Sequence, residues 1–182
     1  MRATFLAFLC VVVIVGCSSP SVEKPASKTV APEGIQPKYG ANLERDYGLK
    51  ILDLLDRYEK VSKDAQAVDA KSAKVYEKEG RFSDTLLTRM NQALAVEMKM
   101  VETIKAMPAP SQFNDFHQQV IKNLEARNEN FGGLILAMEN KDQREIQKVL
   151  ASIETTGKLN RTAMDKILGG KTAEEYLGVA KH

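Results

Sequence analysis

The sequence predicts an all-α protein: an antiparallel up-down four-helix bundle closed by a short C-terminal helix. Three observations predict it. Lys38 to Met107 contains no proline, and neither does the stretch after Pro110. In both stretches apolar residues recur at alternating steps of three and four, the spacing of one helix face and not of a strand. The connections are short and marked by glycine, proline or a tight polar turn, which makes successive helices antiparallel neighbours.

The first seam is Tyr47, Ile51, Leu54, Tyr58, Val61, Ala65, Val68, Ser72 and Val75, widened by Leu52 and Leu55. It predicts one long helix from about Asn42 to Glu79, ended by Gly80. Ser83 or Asp84 can cap the second helix, whose seam is Leu87, Met90, Leu94, Met98, Val101 and Ile104. Met107-Pro108-Ala109-Pro110 must end it, because proline removes a helical donor and clashes with the preceding turn. The third helix starts near Ser111 and lines up Phe113, His117, Val120, Leu124, Arg127, Phe131, Leu134 and Met138, flanked by Phe116, Ile121 and Ile135. Asn140-Lys141-Asp142 is a turn with a good cap. The fourth helix carries Ile146, Leu150, Ile153, Gly157, Asn160, Met164 and Ile167 and stops at Gly169-Gly170. Thr172 and Glu175 have capping-box spacing for a last short helix through Val179. The first helix is longer than the others, so its first turns near Tyr47 either protrude or are covered by that C-terminal helix.

Before the bundle the chain changes character. Arg2 precedes an apolar run from Ala3 to Val15, broken only by Thr4, that ends in Ile14-Val15-Gly16-Cys17. The run is shorter than the ~20 residues a bilayer span needs, and its layout is that of a secretory signal. Those four residues resemble the lipobox of bacterial lipoproteins. The resemblance implies cleavage before Cys17, attachment of lipid (diacylglycerol and palmitate-type chains) to that residue, and an address in the cell envelope, anchored on the extracytoplasmic side. Ser18 follows the cysteine where an aspartate would imply inner-membrane retention. In a Gram-negative cell the resemblance therefore implies the outer membrane, facing the periplasm. Several acyl chains on one residue fit the physics, since a single chain holds a protein only marginally. Residues 1–16 are thus read as signal peptide and 17–38 as lipidated cysteine plus tether. The bundle domain then covers 39–182. The tether is rich in Ser, Pro, Lys and Ala, with Pro20, Pro25, Pro32 and Pro37. Such a segment cannot bury enough apolar surface to order itself, and it spans roughly 25 Å as a coil.

Removing the signal takes one charge, Arg2, leaving 25 Lys+Arg against 24 Asp+Glu. That balance argues against nucleic acid as a partner. Of the two cysteines only Cys17 survives cleavage, and lipidation consumes it, so no disulfide is expected and the core must hold the fold.

The chain lacks HExxH, CxxC, CxxCH, P-loop and dinucleotide-binding patterns. A di-iron bundle wants Glu three residues before its histidine, and Asn114 stands there before His117. No catalytic residue, metal or cofactor is therefore expected. His117 is the candidate ligand-binding residue, at the end of the bundle; its bland reading is a packed ring bonded to the Pro108–Ser111 hinge. Met90, Met98, Met100 and Met107 share a helix and read as gap-fillers in the core, with Met100 pointing elsewhere. Lys60, Lys63, Lys71, Lys74 and Lys78 read as a solvated rim pairing with Glu97 or Glu102 of a neighbouring helix. Arg127 and Asn160 fall on core lines, paired with each other or with acids. Gly132-Gly133 implies a close approach of α-helices near Val149 and Leu150. The function expected is a membrane-anchored helical interaction or scaffold module with an envelope protein partner. The alternative is an extracytoplasmic small-ligand or metal binder using the end near His117.

Overall fold

The computed structural model describes residues 39–67 and 70–179. Residues 1–38, which the sequence reading assigns to a signal peptide, the lipidated Cys17 and a tether, lie outside the described residues. Those described are mostly helical, without strands. The helices are α1 (Tyr39–Gln66), α2 (Ala70–Glu79), α3 (Asp84–Lys105), α4 (Asn114–Glu139), α5 (Gln143–Leu168) and α6 (Ala173–Tyr176). A 3-10 turn at Ser111–Phe113 leads into α4.

Side-chain bonds fix the directions. Lys105 pairs with Glu125 and Asn91 with Glu139, so α3 and α4 are antiparallel. Ser152 bonds Asn130 and Val149 faces Gly133, so α4 and α5 are antiparallel. Tyr47 meets His117 and Tyr58 meets Asn128, both at a separation of 70, so α1 runs parallel to α4 across the bundle. The closest helix pairs are α1–α3, α3–α4 and α4–α5. The up-down four-helix order read from the sequence is the order observed.

The helix ends follow local chemistry. Ser83 Oγ accepts from the backbone N–H of Leu86 at 3.2 Å, and Asp142 Oδ1 accepts from Arg144 and Glu145, each at 3.0 Å. Thr172 and Glu175 form a full capping box. Gly169 closes α5 in the left-handed region at φ 59°, where a side chain would be strained.

One element differs from the reading. The single long first helix is divided: α1 stops at Gln66, Ala67 is not helical, and α2 restarts at Ala70. Divided, the chain brings Ser72 Oγ within 2.7 Å of Ser83 Oγ and sets the Tyr76 ring 4.8 Å from Phe82. Arg89 of α3 donates to the carbonyl of Ala67, satisfying a group that the missing turn would have bonded. No proline or glycine marks the place.

The core falls into two apolar clusters. One, toward the α4–α5 turn, is built on Phe82, Leu86, Met90, Phe131, Met138, Ile146 and Leu150. The other, toward the proline hinge, is built on Tyr47, Ile51, Val101, Ile104, Phe116 and Leu177. The C-terminal segment does cover α1 near Tyr47: Leu177 is buried, and a Cβ on Gly48 would lie 2.9 Å from Val179 Cγ1 and 3.1 Å from Leu177 Cβ. Gly48 is therefore what lets that segment lie on α1.

Gly132 and Gly133 do meet neighbours, but at ordinary contact distance. Added Cβ atoms would lie 3.4 Å from Leu94 of α3 and 3.7 Å from Val149 of α5. The approach is closer to α3 than the sequence suggested.

Candidate functional site

Between the two apolar clusters three helices place polar side chains at one level. From α1 come Tyr58 and Ser62, from α3 comes Glu97, and from α4 come Arg127 and Asn128. Tyr58 Oη donates to Asn128 Oδ1. Arg127 Nη2 donates to Ser62 Oγ at 2.8 Å, and its guanidinium lies 5.2 Å from the centre of the Tyr58 ring, within cation–π range. Gln66 Nε2 also donates to Ser62 Oγ, at 3.1 Å.

Glu97 is the residue the sequence reading missed. The sequence pattern makes it a rim partner for the lysines and puts Met98 in the core. The structure exchanges them: Glu97 is 0% exposed and Met98 is 55% exposed. The true seam of α3 is Leu86, Met90, Ala93, Glu97, Val101 and Ile104. Burial pushes the Glu97 carboxyl up, against the opposing pull of Arg127, Ser62 and Tyr58. Neither carboxyl oxygen has a well-formed hydrogen bond, although those groups surround it. Burial, and then Glu97, also raises the Tyr58 phenol far above its ordinary value. The arrangement is therefore a protonated phenol, a carboxyl held toward its neutral form and a guanidinium bonded to a neutral hydroxyl.

Arg127 was expected to pair with Asn160 or an acid. Its hydrogen bond goes to Ser62, and among the described residues it forms no ion pair. Asn160 is half-buried on α5. Nor do the lysines pair across to α3. Lys63 bonds Glu59 of its own helix at 2.7 Å, and Glu102 bonds Lys105 at 2.8 Å. Lys71, Lys74 and Lys78 line an open surface hollow with Val75 and Glu79.

His117, the ligand candidate, is 3% exposed in the hinge-side cluster. Its Nδ1 shares a 2.9 Å hydrogen bond with Tyr47 Oη of α1, not with the Pro108–Ser111 hinge. The reason is register: α1 runs parallel to α4 and sets Tyr47 beside it. Burial lowers the His117 pKa and raises that of Tyr47 to about 12, so the bond joins a neutral imidazole to a neutral phenol. Tyr47 stacks on Phe113 at 5.7 Å and Phe116 on Tyr176 at 5.7 Å, so this end is packed with aromatic rings. Among the described residues no group of three or more His, Cys, Asp or Glu side chains is placed to hold a metal.

Outside, a shelf of apolar surface follows the α3–α4 seam. Met98 is exposed on α3 and Leu136, 59% exposed, on α4, with half-buried Leu94 and the bare backbone of Gly132-Gly133 between them. No described helix is long and apolar enough to cross a membrane. The chain matches no protein-family model, and no curated protein or solved structure matches it significantly.

Proposed function

We propose that this chain is a lipid-anchored protein of the bacterial cell envelope whose helical domain is an interaction module for a second envelope protein. The observation that carries the reading is the apolar shelf of Leu94, Met98 and Leu136 beside the paired glycines. A helix gives up about 1 kcal/mol in propensity for each interior glycine. Here neither glycine is required by a neighbour, and what they provide is a low surface between two exposed apolar side chains, suited to close approach of another chain.

The N-terminal segment supplies the reason for holding such a surface at a membrane. Acylation at Cys17 fixes one end, and a tether of about 25 Å keeps the bundle near that surface. A membrane- or wall-bound partner then meets the domain at an effective concentration that reaches the millimolar range for short flexible links. A ligand that diffuses freely gains little from this arrangement.

Two experiments test the reading. Cys17→Ala should lose radiolabelled palmitate and leave the membrane fraction, or persist as uncut precursor; normal labelling would remove the lipoprotein reading. A photo-crosslinking residue at position 98 or 136 should capture one dominant envelope protein in cells. Met98→Lys with Leu136→Lys should abolish that capture from a control position on the same face while leaving the helical spectrum intact. Full rescue of a deletion strain by an unlipidated, secreted domain would show that membrane position is incidental.

A further inference from the structure

The α3–α4 seam carries two rows spaced by seven, a helix-face repeat. On α3 the row is Asn91, Met98 and Lys105; on α4 it is Glu125, Gly132 and Glu139. The end members bond each other, Lys105 to Glu125 at 2.7 Å and Asn91 to Glu139 at 2.9 Å. Midway between those bonds, Met98 and Gly132 therefore stand at one level across the seam. By the same antiparallel register Leu94 is level with Leu136. Yet Met98 does not fill the space that Gly132 leaves. A Cβ on Gly132 would meet only Leu94, at 3.4 Å, and Met98 stays 55% exposed. An apolar knob and a bare-backbone hollow lie side by side, and the chain itself does not fit one into the other.

Two charges beside them are unused as well. Lys99 and Glu129 are exposed, and among the described residues neither forms an ion pair. Lys99 is level with Phe131, less than one turn from Glu129. Glu102, Lys105 and Glu125 nearby are already bonded to one another.

A surface with knob and hollow, cation and anion, at matching levels is complementary to its own copy. Rotation by 180° about an axis along the seam keeps every level and lays α3 of one copy over α4 of the other. Two Met98 side chains and two Gly132 backbones then share one layer, and Leu94 and Leu136 of both copies share the next. Lys99 of each copy comes within a turn of Glu129 of the other. The anchor favours this axis. Along the helices, it starts both α1 helices at the same end, so that both Cys17 residues can enter one membrane. An axis across the helices would put one start about 42 Å farther out, for the 28 residues of α1. That exceeds the roughly 25 Å that the tether spans as a coil.

We propose that the α3–α4 shelf is the two-fold interface of a homodimer, with the Met98 side chains of both copies packed over the paired Gly132 backbones. The proposal rests on the interaction reading above and names its partner: a second copy of this chain on the same membrane.

The test is disulfide capture in cells between two differently tagged full-length copies, one carrying Lys99→Cys and the other Glu129→Cys. Both positions are exposed, so the fold is not at risk. A disulfide needs Cα atoms within about 7 Å, so only opposed residues join. A mixed-tag dimer that reductant dissolves is expected, and Met98→Lys in both copies should abolish it. Lys99→Cys in both copies should not join, because the two α3 helices lie diagonally across the axis. Equal joining of that pair would overturn the two-fold arrangement. No mixed dimer, while a photo-crosslinking residue at 136 captures a different protein, would overturn the homodimer and leave the interaction reading standing. No capture of either kind would remove both.

Discussion

The bundle buries titratable groups in two places and treats them oppositely. At the hinge end, His117 has a neutral partner in Tyr47 and a wall of aromatic rings. In the middle layer, Glu97 has a cation and two hydroxyls beside it and a full hydrogen bond from none. Burial favours the neutral form at both, lowering the histidine and raising the glutamate. Because one is a base and the other an acid, the consequences for stability have opposite signs. A histidine with a lowered pKa contributes stability that is present above its unfolded value, about 6.5, and is lost as pH falls through its folded value. A glutamate with a raised pKa contributes stability that is present below its unfolded value and is lost as pH rises through its folded value. The hinge end is therefore built for neutral pH. The middle layer holds together best in acid.

The largest effect is expected at the packed end. Phe116→Ala should remove the ring that stacks on Tyr176 and cost about 3–5 kcal/mol, read from denaturant midpoints. A loss below about 1 kcal/mol would show that the aromatic end is loosely packed. A smaller effect is expected from Tyr47→Phe, which keeps the ring and removes only the bond to His117. It should cost about 1–3 kcal/mol, the penalty of a buried polar atom left without its partner. The smallest effect separates the two regions by pH: His117→Gln should flatten the loss of stability on the acid side of neutral and leave the response of the middle layer unchanged. An unaltered acid limb would mean that His117 titrates in the folded state as it does unfolded.

The same contrast explains what could be read from the sequence. The helix order, the proline hinge, the Ser83 and Asp142 caps and the capping box at Thr172 were all legible, because each rests on local chemistry. The hinge-end seam was legible too, since Phe113, His117 and Val120 stand on one periodic line. The middle layer was half legible. Arg127 stood out as a charge on a core line, but Glu97 did not, because Met98 beside it offered a more apolar residue for the same step. Periodicity chooses the greasier neighbour, and only the partners on α1 and α4 show that the acid belongs inside. The division of the first helix after Gln66 left no local mark at all. It goes with the packing of Tyr76 on Phe82 and the bond from Arg89 to Ala67, both tertiary facts. The Tyr47–His117 bond, across 70 residues, was hidden for the same reason.

Glu97 sits uncharged by preference in a polar layer between two apolar cores. Urea unfolding of the wild type and of Glu97→Gln, followed from acid to neutral pH, tests it most directly. The amide matches the neutral acid in shape and cannot ionise, so the difference between the two isolates this one group. Near-equal stability is expected in acid, with a difference that grows in favour of Glu97→Gln as pH rises through the raised pKa of Glu97. A difference that stays flat, or that grows in favour of the wild type as the carboxyl ionises against Arg127, would contradict it.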